Sequence, residues 1–230
     1  MGPRQQLGNL FKKGVVRPPF LVGFSGIDGS GKSTQLARLA DVLERLGVQP
    51  VCGKTSLHAA TSIFRLSERL SGDPYAYHPT IPATLREFAI ACDVVKHHFD
   101  VIAPRLHTAP ITLLDRCVFC YRIYAQVYQA DMTWIAPLYD LMPAPDITFL
   151  LDVPVEVACE RMQQRQEKPA KSDEQADFLA LIRQAYLDGA RMAPSVQVID
   201  AWRAPESVLD QICATLVTHI HQRSKEIELE

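Results

Sequence analysis

The sequence predicts an α/β fold in which a five-stranded parallel sheet is flanked by helices. Short apolar runs suited to buried strands alternate along the chain with segments of helical period. Aspartates stand at or just after the ends of several of these runs, where parallel sheets bind their ligands. A glycine-rich turn joins the first strand to the first long helix. Strands separated by helices form right-handed βαβ units, so the sheet is expected to be parallel.

The expected strands are the buried apolar runs 20–24, 48–52, 111–114, 147–151 and 196–199. Between them, leucines recur at helical spacing from Leu36 to Leu46, and Gly47 is a natural stop for that helix. Pro82 suits the start of a long helix that continues to about residue 102, before Pro104. Further helices are expected at 59–70, around 121–128, and at 155–164, 175–192 and 205–221.

Length and composition suit one domain. The chain has 230 residues, of which 47% are hydrophobic and 22% are charged. A net charge of -2 gives no reason to expect nucleic acid or an anionic membrane as a partner. No apolar run reaches spanning length and no secretory segment precedes the first strand, so we expect a cytoplasmic protein with its six cysteines reduced.

Both ends of the chain are expected to lie outside the folded domain. Residues 1–18 carry four basic side chains and no acidic one, which is typical of a flexible basic tail. The domain is expected to span residues 19–224, with a mobile lid at about 163–175, and residues 225–230 are expected to form a C-terminal tail.

The glycine-rich turn carries the strongest chemical signal. Its pattern, G-x-x-x-x-G-K-S, follows a strand and opens a helix. The glycines let successive backbone N–H groups point into one concavity, and the helix N-terminus favours an anion there. Lysine then reaches the β and γ phosphates, and the serine hydroxyl ligates the bridging magnesium. We therefore predict a P-loop for ATP and Mg²⁺, formed by Gly26, Asp28, Gly29, Ser30, Gly31, Lys32, Ser33 and Thr34.

Two further groups of residues complete the expected site. Asp115 and Arg116 follow the third strand, where a carboxylate suits the magnesium shell and a guanidinium suits a second phosphate. A salt-bridged strand end is the alternative. Arg161 and Arg165 lie one helical turn apart and are candidates for a basic lid that closes on the transferring phosphoryl group. A solvated basic face is the alternative for this pair.

Over nearly all of residues 20–215 the sequence resembles the thymidylate kinase family of nucleoside monophosphate kinases. The resemblance lies in the P-loop, in Asp115 with Arg116, and in the stretches 145–153, 156–165 and 198–201. It implies ATP-dependent phosphorylation of a nucleoside monophosphate, dTMP above all, with ATP and Mg²⁺ at the site. The implied partners are small-molecule nucleotides, and a homodimer is left open.

The resemblance also implies roles for individual residues. Asp28 would lie near the acceptor sugar and phosphate, Arg116 would hold the acceptor phosphate, and Tyr124 would lie under the deoxyribose. Arg161 and Arg165 match the family's lid arginines. The implied catalytic set is Lys32, Arg116, Arg161 and Arg165, and Ala201 joins the ATP site.

The acceptor end departs from the family's pattern. The Arg-Glu-Pro-Gly-Gly stretch is replaced by residues 53–57, and Ala125 replaces a glutamine. Ile90 and Val94 stand where the family carries a base-stacking phenylalanine and a base-reading arginine. Phe88, Tyr121 and Lys54 are the candidates to substitute for these residues. The expected acceptor residues are Asp28, Lys54, Phe88, Ile90, Arg116, Tyr121 and Tyr124.

Two other functions stay open at this point. One is a kinase of the same scaffold for a different acceptor, such as a nucleoside or an unusual small metabolite. A hydroxyl acceptor usually needs a carboxylate base, and residues 48–60 contain none. The other is a nucleotide-binding regulatory module that turns over slowly.

Overall fold

The computed structural model describes residues 2–16, 19–72, 80–164 and 176–229, with side chains as far as residue 225. Within these ranges, five strands form one parallel sheet in the order β2-β3-β1-β4-β5. The strands are β1 (Leu21–Ser25), β2 (Val51–Lys54), β3 (Thr112–Asp115), β4 (Ile147–Asp152) and β5 (Val196–Asp200). The predicted α/β fold with a five-stranded parallel sheet is confirmed.

Strand β1 lies at the centre of the sheet. All five of its residues are buried, as expected of a central parallel strand with helices over both faces. Phe24 lies opposite Asp115 of β3 on one side and opposite Phe149 of β4 on the other. These three strands run in the same direction, so the chain segments that follow their carboxyl ends leave from one edge of the sheet.

Helices pack on both faces of the sheet. In the described ranges they are α1 (Pro3–Lys12), α2 (Lys32–Arg45), α3 (Ala59–Ser71), α4 (Ala83–His97), α5 (Val118–Val127), α6 (Ala136–Tyr139), α7 (Val155–Gln164), α8 (Ala176–Met192) and α9 (Pro205–Leu229). None of the helices in this part of the chain is long and apolar enough to cross a membrane.

Helix α4 does not run on as one regular α-helix to residue 102. After His97 the chain widens into a π-helical turn (His98–Ile102) and then tightens into a 3₁₀ turn (Ala103–Arg105). Pro104 lies in this second turn, and its ring and missing N–H are incompatible with a continuing α-helix. The change brings Ile102 into a small apolar cluster with Leu21 of β1.

The prediction of a flexible tail over residues 1–18 is wrong for residues 3–12, which form α1. Leu7 is fully buried and Leu10 is 5% exposed, and both belong to the main hydrophobic core. Their spacing places them on one face of the helix, which packs against α9. Arg4 adds ion pairs to Glu206 and Asp210 of α9. The prediction of a tail relied on the net positive charge of the segment and overlooked this apolar face.

The expected C-terminal tail at 225–230 is also corrected, because α9 continues to Leu229. Two contacts connect the end of this helix to other parts of the chain. Arg223 lies 3.2 Å from the Asp146 carboxylate, and the Ser224 hydroxyl donates to the Val15 carbonyl oxygen at 3.3 Å. The first and last helices are therefore parts of the folded domain.

Candidate active site

The loop between β1 and α2 has the backbone geometry of a phosphate site. Gly26, Gly29 and Gly31 have φ angles of 140°, 82° and 95°, in the region that favours glycine. A Cβ on Gly29 would lie 2.4 Å from the Ala158 carbonyl oxygen, so helix α7 leaves no room for a side chain there. The loop then opens α2 at Lys32, whose first N–H groups face the concavity.

The remaining P-loop positions differ in exposure. Ser30 is 1% exposed, and its buried hydroxyl has no hydrogen-bond partner within the described residues. Thr34 is exposed in the first turn of α2. A buried, unpaired hydroxyl in such a loop is a group that a bound phosphate oxygen would satisfy, so this part of the loop fits an anion.

The Lys32 ammonium group is held inside the loop. Its side chain is 7% exposed, and Nζ donates to the carbonyl oxygens of Gly26 and Ile27 at 3.0 and 2.8 Å. Nζ also lies 3.5 Å from the Asp28 carboxylate. Burial, followed by the nearby charge of Arg116, lowers the pKa of Lys32 to about 8. A phosphate bound beside Nζ would favour the charged form again.

Ser33 and Asp115, the residues predicted to hold magnesium, are in contact. The Ser33 hydroxyl donates to Asp115 Oδ2 at 2.7 Å, and Lys54 Nζ lies 3.6 Å from the same oxygen. A hydroxyl and a carboxylate are hard oxygen ligands, and Mg²⁺ usually completes its shell with water and substrate phosphates. This pair therefore fits the ion. The described residues contain no cluster of three or more metal-ligating His, Cys, Asp or Glu side chains.

Arg116 occupies an unusual backbone position at the end of β3. Its φ angle is 70°, which is uncommon for a residue other than glycine and is often found at functional sites. Its guanidinium donates from Nη2 to the Asp28 carboxylate, while Nη1 lies 3.1 Å from the Cys120 sulfur. The backbone turn thus directs the side chain back over the P-loop.

Tyr124 and Tyr121 of α5 have different neighbours. The Arg116 guanidinium carbon is 5.3 Å from the Tyr124 ring centroid, and Tyr124 meets Tyr186 of α8 edge to face at 6.2 Å. Tyr121 instead stacks on Tyr139 at 6.1 Å. The structure therefore brings Tyr124, rather than Tyr121, into contact with Arg116.

The other expected acceptor residues are spread around the site. Ile90 packs against an apolar cluster that contains Val94 and Tyr139, whereas Phe88 is 36% exposed. Lys54 lies beside Asp115, as described above. In the described part of the chain, none of these three residues forms a hydrogen bond, an ion pair or a ring contact with Arg116 or Tyr124.

Arg161 connects the P-loop to the segment after β5. Nη1 donates to the Gly29 carbonyl oxygen at 3.4 Å, and Nη2 donates to the Ala201 carbonyl oxygen at 3.2 Å. This places the guanidinium of α7 beside both elements expected to contact ATP. Arg165 and residues 165–175 of the expected lid lie outside the described residues.

The profile of the thymidylate kinase family matches residues 24–212, a span that includes the P-loop, Asp115, Arg116 and Arg161. The chain belongs to the thymidylate kinase family. The resemblance inferred from the motifs is thereby confirmed, together with membership of a family of phosphotransferases.

Individual thymidylate kinases match across most of their length. A probable thymidylate kinase of Thermococcus kodakarensis is 30% identical over 195 residues, which cover 84% of this chain and 95% of that protein. A thymidylate kinase of Dinoroseobacter shibae is 30% identical over 213 residues, 90% of this chain and 98% of that protein. A probable thymidylate kinase of Pyrococcus horikoshii is 26% identical over 205 residues.

Sequence reasoning about this family member missed two side-chain contacts near the site. Arg183 of α8 forms a two-pronged ion pair with Asp152 at the end of β4, at 2.6 and 2.9 Å. Cys120 contacts Arg116, and its sulfur lies 2.6 Å from the Tyr186 hydroxyl. The position of Asp152 at a strand end was visible in the sequence, but its partner lies 31 residues away on helix α8.

Proposed function

We propose that this chain transfers the γ-phosphoryl group of ATP to dTMP, giving ADP and dTDP. One observation supports the proposal most directly: Asp28 is shared by the P-loop cation and by the cation that follows β3. Lys32 Nζ lies 3.5 Å from this carboxylate, and Arg116 donates to it. A donor phosphate on Lys32 and an acceptor phosphate on Arg116 would therefore lie next to each other, as phosphoryl transfer requires.

The P-loop is the proposed donor site. Backbone N–H groups of the loop and of the first turn of α2 bind the phosphates, and Lys32 neutralises the charge of the β and γ groups. Arg161 and Ala201 lie on the side of the loop where α7 and the segment after β5 approach each other. We assign this side to the nucleoside part of ATP.

Ser33 and Asp115 are the proposed holders of Mg²⁺, which when bound supplies positive charge to the β and γ phosphates. Their direct hydrogen bond of 2.7 Å keeps the hydroxyl and the carboxylate together at the sheet edge. Lys54 Nζ, at 3.6 Å from the same carboxylate, adds a positive charge to this corner of the site.

Catalysis in this scheme depends on position and charge. A phosphate oxygen of the acceptor is already nucleophilic, so the site needs no strong general base. Arg116 holds the acceptor phosphate, and Tyr124 contacts the sugar beside it. Arg161 and Arg165 meet the charge that develops on the transferring group once the lid closes. The lid at 163–175 is part of this proposal.

The test is an ADP-release assay with ATP and a panel of acceptors. We expect turnover with dTMP and much less with thymidine or with ATP alone. Turnover with a nucleoside but not with its monophosphate would favour the rival kinase reading. ATP binding without turnover on any acceptor would favour the regulatory module. No contact in the described residues favours either rival over the monophosphate kinase.

Three features of this proposal rest on the sequence alone. They are the cytoplasmic location, the homodimer and the mobility of the lid. A homodimer is checked by light scattering of the purified chain, in which a mass near twice 25.7 kDa would support it.

A further inference from the structure

Arg86, in the first turn of α4, is a buried arginine that the scheme above does not use. Its side chain is 4% exposed, and its Nε donates to the adjacent Glu87 carboxylate at 3.2 Å. Its buried Nη2 has no hydrogen-bond partner in the part of the chain that the structure describes. A buried guanidinium nitrogen without a hydrogen-bond partner costs free energy of folding. A bound ligand that accepts a hydrogen bond from this nitrogen would explain why the group is retained.

Arg86 lies at one end of a row of rings whose other end is Arg116. The Arg86 guanidinium carbon is 4.0 Å from the centroid of the Tyr128 ring. Tyr128, which follows the last residue of α5, is 6.3 Å from Tyr124 between ring centroids, and Tyr124 contacts Arg116. The row thus begins at the proposed acceptor phosphate, passes the proposed sugar contact and ends at a second cation.

The far end of this row offers aromatic surface as well as charge. Tyr128 stacks on Phe178 of α8, with ring centroids 5.0 Å apart and an angle of 27° between the planes. Arg86 approaches the same tyrosine. A planar base bound at the edge of these rings would make aromatic contact with them, and the neighbouring guanidinium would donate to the edge of the base.

The positions that read the base in other thymidylate kinases cannot do so here by hydrogen bonding. Val94 is 6% exposed and shares an apolar cluster with Ala91, Ile135 and Tyr139. Ile90 packs against the same cluster. Both side chains are hydrocarbon, so a polar group elsewhere must recognise the base if the chain selects among bases at all.

The other nearby cations have different partners. Lys54 lies 3.6 Å from Asp115 at the magnesium corner, and Arg122 of α5 pairs with Asp140 at 2.7 Å. Arg86 differs from both because it combines burial, contact with the aromatic row and an unpaired donor.

We infer that Arg86 determines which base the acceptor carries, by donating a hydrogen bond from Nη2 to an oxygen on the edge of the base farthest from the sugar. A guanidinium is a donor only, so it favours a 4-oxo pyrimidine, such as thymine or uracil, over a 4-amino pyrimidine such as cytosine. This inference rests on the proposed function, since it assumes a nucleoside monophosphate on the row of rings.

The first test uses the unaltered protein and two nucleotides that differ at a single position. dTMP and 5-methyl-dCMP share the methyl group and the sugar, but one carries oxygen and the other an amino group at position 4. Calorimetric titration should show at least about tenfold tighter binding of dTMP, as expected for loss of a hydrogen bond to a charged group. Equal affinities would overturn the assignment of Arg86, whether or not any variant folds.

The second test compares kcat/KM for dTMP and 5-methyl-dCMP in three variants. Arg86→Met should lower kcat/KM for dTMP by about tenfold or more and remove the preference, with KM for ATP unchanged. Arg86→Lys should restore part of the preference, because it restores a donor without the planar fork. Arg122→Met is the matched control, since Arg122 also lies over a tyrosine ring, 5.8 Å from the Tyr139 centroid. It should leave the preference intact.

These results separate the inference from the proposed function. If neither nucleotide is phosphorylated but dTMP still binds more tightly and Arg86→Met removes the difference, the kinase proposal fails and the role of Arg86 stands. If dTMP is phosphorylated and Arg86→Met lowers stability without changing the ratio between the two nucleotides, Arg86 is a structural residue and the inference fails.

Discussion

At the scale of single residues, Asp28 couples the two halves of the site. It lies 3.5 Å from Lys32 Nζ and accepts a hydrogen bond from Arg116. Both cations are held close to the same carboxylate, so each is placed before any substrate arrives. Such placement lowers the cost of assembling two phosphates of like charge at one point.

The pKa of Lys32 makes ATP binding sensitive to pH. Burial lowers this pKa to about 8, so the ammonium is charged below pH 8 and loses its proton as the pH rises above 8. The Kd for ATP with magnesium should therefore be nearly flat from pH 6.5 to 7.5 and then increase by up to about tenfold per pH unit above 8.

Titration of ATP at several pH values measures this dependence. Lys32→Arg is the control, because its guanidinium does not titrate in the range and should give a flat profile whatever its affinity. A wild-type Kd that stays constant from pH 7 to 9.5 would mean that the Lys32 ammonium does not contact the phosphates.

Arg116 should act on the acceptor rather than on ATP. Its guanidinium donates to Asp28 and lies beside Tyr124. Arg116→Ala should raise KM for dTMP by about ten- to a hundredfold, the range expected for a lost charge-assisted hydrogen bond, with little change in KM for ATP. Steady-state kinetics with each substrate varied in turn measures both constants.

Arg116→Lys separates charge from geometry in the same assay. It should recover only part of the loss, because an ammonium cannot reproduce a two-pronged contact to phosphate. A larger change in KM for ATP than in KM for dTMP would assign Arg116 to the donor side instead.

At the scale of elements, α7 links the P-loop to the segment after β5 through Arg161. Its last residues lead into the expected lid. Because the lid arginines are proposed to meet charge that develops during transfer, Arg161→Ala with Arg165→Ala should lower kcat far more than it changes KM, on the order of 10³-fold.

Single-turnover kinetics gives the transfer rate directly. The conservative double lysine variant is the comparison, since it retains charge at both positions. A double alanine variant with kcat within about threefold of the parent would return both arginines to the solvated basic face considered in the sequence analysis.

Helix α1 should contribute to the stability of the whole domain. Leu7 is fully buried in the main core, so Leu7→Ala should lower the free energy of unfolding by about 2–5 kcal/mol. Leu66 is 58% exposed on α3, and Leu66→Ala is the matched control, with an expected change within about 0.5 kcal/mol. Urea unfolding followed by circular dichroism measures both, and an unchanged midpoint for Leu7→Ala would restore the tail prediction.

At the scale of the whole molecule, the strand order explains how distant residues meet. Because β1 lies between β3 and β4, the P-loop after β1 lies beside Asp115 and Arg116 at the end of β3 and beside the chain that follows β4. The contact between Ser33 and Asp115 spans 82 residues of sequence. The carboxyl edge of the sheet is therefore the place where donor, metal and acceptor groups can converge.

The sequence predicted this convergence because its signals are local. A glycine pattern, an aspartate at a strand end and alternating strands and helices can each be recognised without knowing the fold. The roles assigned to individual site residues remain proposals. Packing of side chains from separate helices could not be predicted in this way: the contact of Arg86 with Tyr128 and the pair of Asp152 with Arg183 depend on how α4, α5 and α8 meet.

The prediction for the N-terminal segment was wrong for a related reason. Its charge pattern resembles that of a tail, and its apolar face becomes visible only when α9 supplies a surface for it. The regular part of α4 also ended earlier than its apolar pattern indicated, because Pro104 acts on the turns before it. Helix α1 depends on its tertiary contact with α9, and the end of α4 depends on the backbone chemistry of proline.

The central claim, phosphoryl transfer to dTMP at this sheet edge, is tested most directly by measuring dTDP and ADP together after incubation with ATP, Mg²⁺ and dTMP. We expect the two products in a one-to-one ratio from the wild-type protein, and neither from Lys32→Ala at matched folded concentration. ADP formed without dTDP, or dTDP formed equally well by Lys32→Ala, would contradict the account.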